Sequence, residues 1–110
     1  MIRLLAALLF AASLHAQANF DLEKGALDGP LEGWFAPRGI TDFKVTWSDH
    51  DCHQGTGCAD ITPTVPAPKL FGNIMQSINA TPYLGKRIRF RAAVKTTGSA
   101  HAQLWVRIDL

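Results

Sequence analysis

The densest group of chemically capable side chains is Asp49-His50-Asp51-Cys52-His53-Gln54-Gly55-Thr56-Gly57-Cys58. Thiols, imidazoles and carboxylates at this spacing could hold a metal through His50, Cys52, His53 and Cys58, with Asp49 or Asp51 nearby. Zinc sites, however, draw on a second Cys-x-x-Cys or a His-x-x-x-His, and the chain contains neither. Gly55 and Gly57 let the backbone turn back on itself, which favours a local disulfide between Cys52 and Cys58, the chain's two cysteines. Closing so short a loop contributes about 2 kcal/mol in the chain-entropy estimate. The Asp and His side chains around it then read as a solvated loop between strands. His101 stands alone near a turn. No Gly-x-Ser-x-Gly elbow, phosphate loop or His-Glu-x-x-His is present, so the sequence predicts no enzyme, no catalytic residue and no metal site.

A second group lies towards the carboxyl end. Arg87, Arg89 and Arg91 alternate with Ile88, Phe90, Ala92 and Val94; Gln103, Trp105 and Arg107 alternate with Leu104, Val106 and Ile108. Period-two alternation places one set on a core and the other in solvent. An exposed ring beside planar hydrogen-bonding groups suits a ligand with an apolar face and peripheral hydroxyls, as a sugar has, and Trp105, Arg89, Arg107 and Gln103 are the expected contacts, with Gln76 able to join them. The same composition also marks a face packed against another domain or a partner protein.

The elements that must position these groups are strands. Gly and Pro punctuate the chain at short intervals, and no window between them carries a helical period. Residues 87–94 and 103–109, joined by Thr96-Thr97-Gly98-Ser99, predict an antiparallel pair. Shorter strands are expected over residues 33–35, 44–47, 58–62 and 73–79. Pro63, Pro66 and Pro68 confine residues 62–69 to a loop or an edge.

The first eighteen residues have the form of a signal peptide: Arg3 near the start, an apolar run over residues 4–14, and Ala16-Gln17-Ala18 before the expected cleavage. That run falls short of the roughly 20 residues of a spanning helix, so no stable membrane anchor is expected. The domain plan is a leader over residues 1–18 and one module over residues 19–110, secreted or periplasmic. The chain of 110 residues is 47% hydrophobic, 18% charged and +2 overall, with Arg3 in the leader. A near-balance of that kind predicts no concentrated basic surface and therefore no nucleic-acid partner. Asn79-Ala80-Thr81 has the form of a glycan acceptor, but Pro82 follows it.

Several segments occur in a suggestive order: Asn19-Phe20-Asp21-Leu22-Glu23, Gly33-Trp34-Phe35, the Gly55 to Cys58 turn, Phe71-Gly72-Asn73-Ile74-Met75-Gln76-Ser77-Ile78, Pro82-Tyr83-Leu84-Gly85-Lys86 leading into Arg87-Ile88-Arg89-Phe90, and Gln103-Leu104-Trp105-Val106-Arg107-Ile108-Asp109. Together they resemble the galactose-binding-like jelly-roll modules, a group that includes many carbohydrate-binding modules and occurs at the amino-terminal end of secreted bacterial hydrolases. The resemblance implies an all-β antiparallel sandwich, incomplete here because such modules continue for two or three strands past the segment ending at Asp109. It implies an exported, non-catalytic module that binds carbohydrate as an accessory to a secreted hydrolase, or else one that docks on a catalytic domain or partner protein without binding sugar. No cofactor is expected beyond the structural calcium common in such modules, which is held largely by backbone carbonyls.

Overall fold

The computed structural model describes residues 18–39 and 41–109. The expected leader lies outside the described residues except for Ala18. The chain divides after Asn79 into two units, the second running from Ala80 to Leu110.

The first unit is built on one antiparallel pair, β1 (Phe43–Ser48) and β2 (Cys58–Pro63). Its register sets Phe43 opposite Pro63, Val45 opposite Ile61 and Trp47 opposite Ala59. The intervening pairs are Lys44 with Thr62, Thr46 with Asp60 and Ser48 with Cys58. Because side chains alternate along a strand, the first three pairs make an apolar face and the other three a polar one.

Backbone, rather than a second sheet, closes over the apolar face. Gly25 passes so near Trp47 that a Cβ there would lie 2.3 Å from the indole ring, and a Cβ on Gly72 would lie 2.6 Å from Phe43. Residues 27–29 run beside β1, with Asp28 N donating to Trp47 O at 3.1 Å and Trp47 N donating to Gly29 O at 2.8 Å. Phe35 and Met75 exchange two backbone hydrogen bonds at 3.0 and 2.8 Å. Asp42 ties the ascending chain to this layer, its carboxylate accepting from Lys69 N at 2.8 Å and Leu70 N at 3.0 Å.

The second unit holds turns without a ladder. Thr81–Tyr83 is a 3-10 helix, after which Lys86 N donates to Tyr83 O at 3.1 Å. Ala100 N donates to Thr97 O at 3.3 Å, with Gly98 at a φ of 62°, the hand favoured between twisted strands. The turn expected at Thr96-Thr97-Gly98-Ser99 forms, one residue later, over Thr97 to Ala100. The strands expected over residues 87–94 and 103–109 do not, and their apolar side chains are exposed, Ile88 by 52% and Val106 by 52%.

The fold is therefore non-helical and β-leaning among the described residues, as the sequence implies, while a sandwich is not formed. The alternating segments keep their apolar side chains exposed, and Leu31 is the one apolar side chain buried among the described residues. The expected strands at 33–35 and 73–79 reduce to the single Phe35–Met75 bridge. The strands expected at 44–47 and 58–62 form, each slightly longer than the pattern suggests.

Candidate nucleic-acid interface

The Cys52–Cys58 disulfide forms, with the two Cα atoms 5.5 Å apart. It closes the β1–β2 connection immediately beside the Ser48–Cys58 pair, where the strands already bring the chain ends together. The sulfurs are thereby joined to each other instead of serving as thiolate ligands. His50 turns outward and its Nδ1 meets Asp49 Oδ1 at 2.6 Å on the surface.

Gln76 is held in the first unit by its backbone neighbours. Its Oε1 accepts from Ala18 N at 2.8 Å, and its Nε2 donates to Ala18 O at 2.7 Å and to Gly33 O at 2.9 Å. The amide thus positions the start of the described chain against Gly33. The cavity lined by Ala36, Pro37, Phe43, Val45, Gly72 and Asn73 is about 20 Å³, room for one water-sized molecule.

Arg89, Gln103, Trp105 and Arg107 all lie in the second unit and all are exposed, Trp105 by 65%. Arg107 is committed to Asp109, its Nε 3.0 Å from Oδ1 and its second terminal nitrogen 3.1 Å from Oδ2. This bidentate pair neutralises the one acidic residue of that unit.

The electrostatics of the two units differ in sign. Residues 80–110 carry six basic side chains, Lys86, Arg87, Arg89, Arg91, Lys95 and Arg107, against Asp109, a net charge of +5. Residues 1–79 carry five basic against eight acidic side chains, a net charge of −3, and the two together give the chain's +2. Within the positive unit Lys86, Arg87, Arg89 and Arg91 are exposed, and no carboxylate pairs with them among the described residues. Four cations within six residues form a concentrated basic stripe suited to a polyanion.

The chain is 31% identical over 90 residues to a protein of Bacillus subtilis (strain 168) described as the uncharacterized HTH-type transcriptional regulator YbfP. The likeness covers 79% of this chain and spans 30% of that regulator's length. No family model matches the chain, and no solved structure matches it.

This likeness overturns the expected function. It runs to a transcriptional regulator and not to an exported carbohydrate-binding accessory of a hydrolase, nor to a module docking on a catalytic domain. It equally overturns the exclusion of nucleic acid as a partner. The physical error lay in averaging: a +2 total hides a +5 segment beside a −3 one. The signal that could have found the stripe, Lys86-Arg87-Ile88-Arg89-Phe90-Arg91, is plain in the sequence once charge is counted by segment.

Proposed function

We propose that the chain acts in transcriptional regulation as a non-catalytic, β-rich part of a DNA-binding regulator, with Lys86, Arg87, Arg89 and Arg91 lying along nucleic-acid phosphates. The observation that carries this reading is the segregation of charge, which sets these four exposed cations in a unit whose one acid is already paired with Arg107. The similarity to a helix-turn-helix regulator supports it.

A helix-turn-helix reads bases by placing its second helix in the major groove. Among the described residues the one helical element is the three-residue 3-10 turn, so this segment contributes phosphate contacts and not a recognition helix. Contacts of that kind fix position on the duplex without specifying sequence. The alternation over residues 87–94 and 103–109 fits a pairing of these segments about the Thr97–Ala100 turn, with their apolar faces completing a β-sandwich layer when the regulator is assembled.

The test is fluorescence anisotropy with a short labelled duplex at low salt, comparing the wild-type chain, Arg87→Ala/Arg89→Ala/Arg91→Ala and, as a control in the acidic unit, Lys44→Ala. Binding is expected for the wild type and for Lys44→Ala, with a loss of roughly 100-fold in the triple variant. Absence of wild-type binding, or equal binding by the triple variant, overturns the proposal.

A further inference from the structure

We propose that the Cys52–Cys58 disulfide is a redox latch on the strap formed by residues 19–25, and that Glu23 couples the two. The inference stands apart from nucleic-acid binding and rests on the first unit alone.

The loop closed by the disulfide is a receptor for a carboxylate, and the strap supplies one. Thr56 N donates to Glu23 Oε2 at 2.9 Å and to Oε1 at 3.1 Å, while Gly57 N donates to Oε1 at 3.0 Å. Successive amides converging on one anion form a backbone nest. Gly55, at a φ of 65°, leaves space that a side chain would fill, since a Cβ there would lie 2.3 Å from Oε1. Gly57 is buried beneath the strap, and a Cβ on it would lie 2.2 Å from Leu22 O.

The strap is fastened on its other side too. Trp47 Nε1 donates to Leu22 O at 2.8 Å, and Asn19 holds Lys24 through both backbone groups, accepting from its N at 2.9 Å and donating to its O at 2.7 Å. Seating Glu23 therefore seats a segment that lies on the Trp47 ring. The seat depends on the nest, whose amides the cross-link keeps in place.

Opening the latch is a balanced thiol–disulfide exchange. A dithiol reductant attacks one sulfur through its thiolate, the sulfur–sulfur bond breaks, and a mixed disulfide forms. The reductant's second thiol then displaces the remaining protein sulfur. Two electrons and two protons pass to Cys52 and Cys58, which become thiols, and the reductant leaves as its own disulfide. The freed loop no longer presents both amides to Glu23, and the strap opens more often.

Coupling of this kind is reciprocal. Whatever the closed loop contributes to holding Glu23, Glu23 contributes to keeping the bond closed. The experiment equilibrates the full chain, wild type and Glu23→Ala, with graded ratios of reduced to oxidised dithiothreitol and reads thiols by alkylation and mass spectrometry. The Glu23→Ala disulfide is expected to be about five-fold easier to reduce at equilibrium. A parallel readout on wild type alone is hydrogen exchange at the Gly57 and Lys24 amides, expected to quicken on reduction by a similar factor. An equilibrium unchanged by Glu23→Ala overturns the coupling. If that variant fails to fold, exchange at both amides that is indifferent to reductant overturns it equally.

Discussion

If the basic stripe lies along phosphates, its salt dependence is fixed by how many cations are free to release counterions. Arg107 is engaged by Asp109 and Lys95 has a partner of its own, which leaves Lys86, Arg87, Arg89 and Arg91 as the available set. With about four phosphates neutralised on a duplex, the logarithm of the binding constant falls with the logarithm of salt concentration at a slope near −3.6. Raising salt from about 50 to about 200 mM then weakens binding roughly 150-fold. Replacing Arg87, Arg89 and Arg91 by Ala leaves Lys86, so the slope drops to about −0.9 and the same change in salt weakens binding only three- to four-fold. Anisotropy titrations of one labelled duplex at several salt concentrations measure both slopes. Scrambling the duplex sequence should leave them unchanged, because phosphate contacts carry no base information. A wild-type slope near −1, or a triple variant that keeps the wild-type slope, refutes the assignment of these arginines whatever the absolute affinity.

Three further outcomes concern the first unit. Gly25→Ala forces a Cβ to within 2.3 Å of the Trp47 ring and is expected to lower stability by about 1–3 kcal/mol, read from the urea midpoint. Asn19→Ala removes the side-chain bonds to Lys24 and to Glu32 O at 2.7 Å and leaves alanine at a φ of 53°; a loss of roughly 2 kcal/mol is expected in the same assay. Asp42 gives the acid limb its shape: hydrogen bonds from Leu70 N, and then from Lys69 N, hold its carboxyl below the ordinary value of 3.8. A depressed folded-state value means that its contribution is complete above that ordinary value and is lost as pH falls from there through the folded one. Asp42→Asn should flatten this part of the pH–stability curve, and an unaltered acid limb counts against the two amide bonds.

How far the sequence could be read depended on the range of the interaction. Local chemistry is legible: the Cys52–Cys58 closure, the turn about Gly98, and the strands at 44–47 and 58–62 all involve groups close in the chain or facing a near neighbour. Gln76 reads in the sequence as a ligand contact, and its three bonds run to residues 18 and 33, a separation that no spacing rule reaches. Glu23 is unreadable for the same reason. Its partners, Thr56 and Gly57, are more than thirty residues away, and nothing in Asp21-Leu22-Glu23 distinguishes an anchored carboxylate from a solvated one. A pattern also states only which face of a segment is apolar, and says nothing about whether a layer is present to cover it. Ile88 and Phe90 satisfy the alternation and remain exposed.

That exposure and the basic stripe are two aspects of one segment. Between Arg87 and Val94 each apolar position is flanked by an arginine or an alanine, so any arrangement that buries Ile88, Phe90 and Val94 on one side turns Arg87, Arg89 and Arg91 out together on the other. Pairing this segment antiparallel with its own copy would bring arginines opposite arginines, which cross-strand like charge disfavours. Residues 103–109 avoid that conflict, since they offer Gln103 and Trp105 together with an Arg107 whose charge Asp109 already balances. Pairing residues 87–94 with 103–109 about Gly98 would relieve apolar exposure and keep the cations on one side, as the proposed phosphate contacts require. A duplex that neutralises the stripe should favour the same pairing, and amide-exchange protection appearing at Ile88 and Phe90 on addition of DNA is the observation that would tie the unformed ladder to the function.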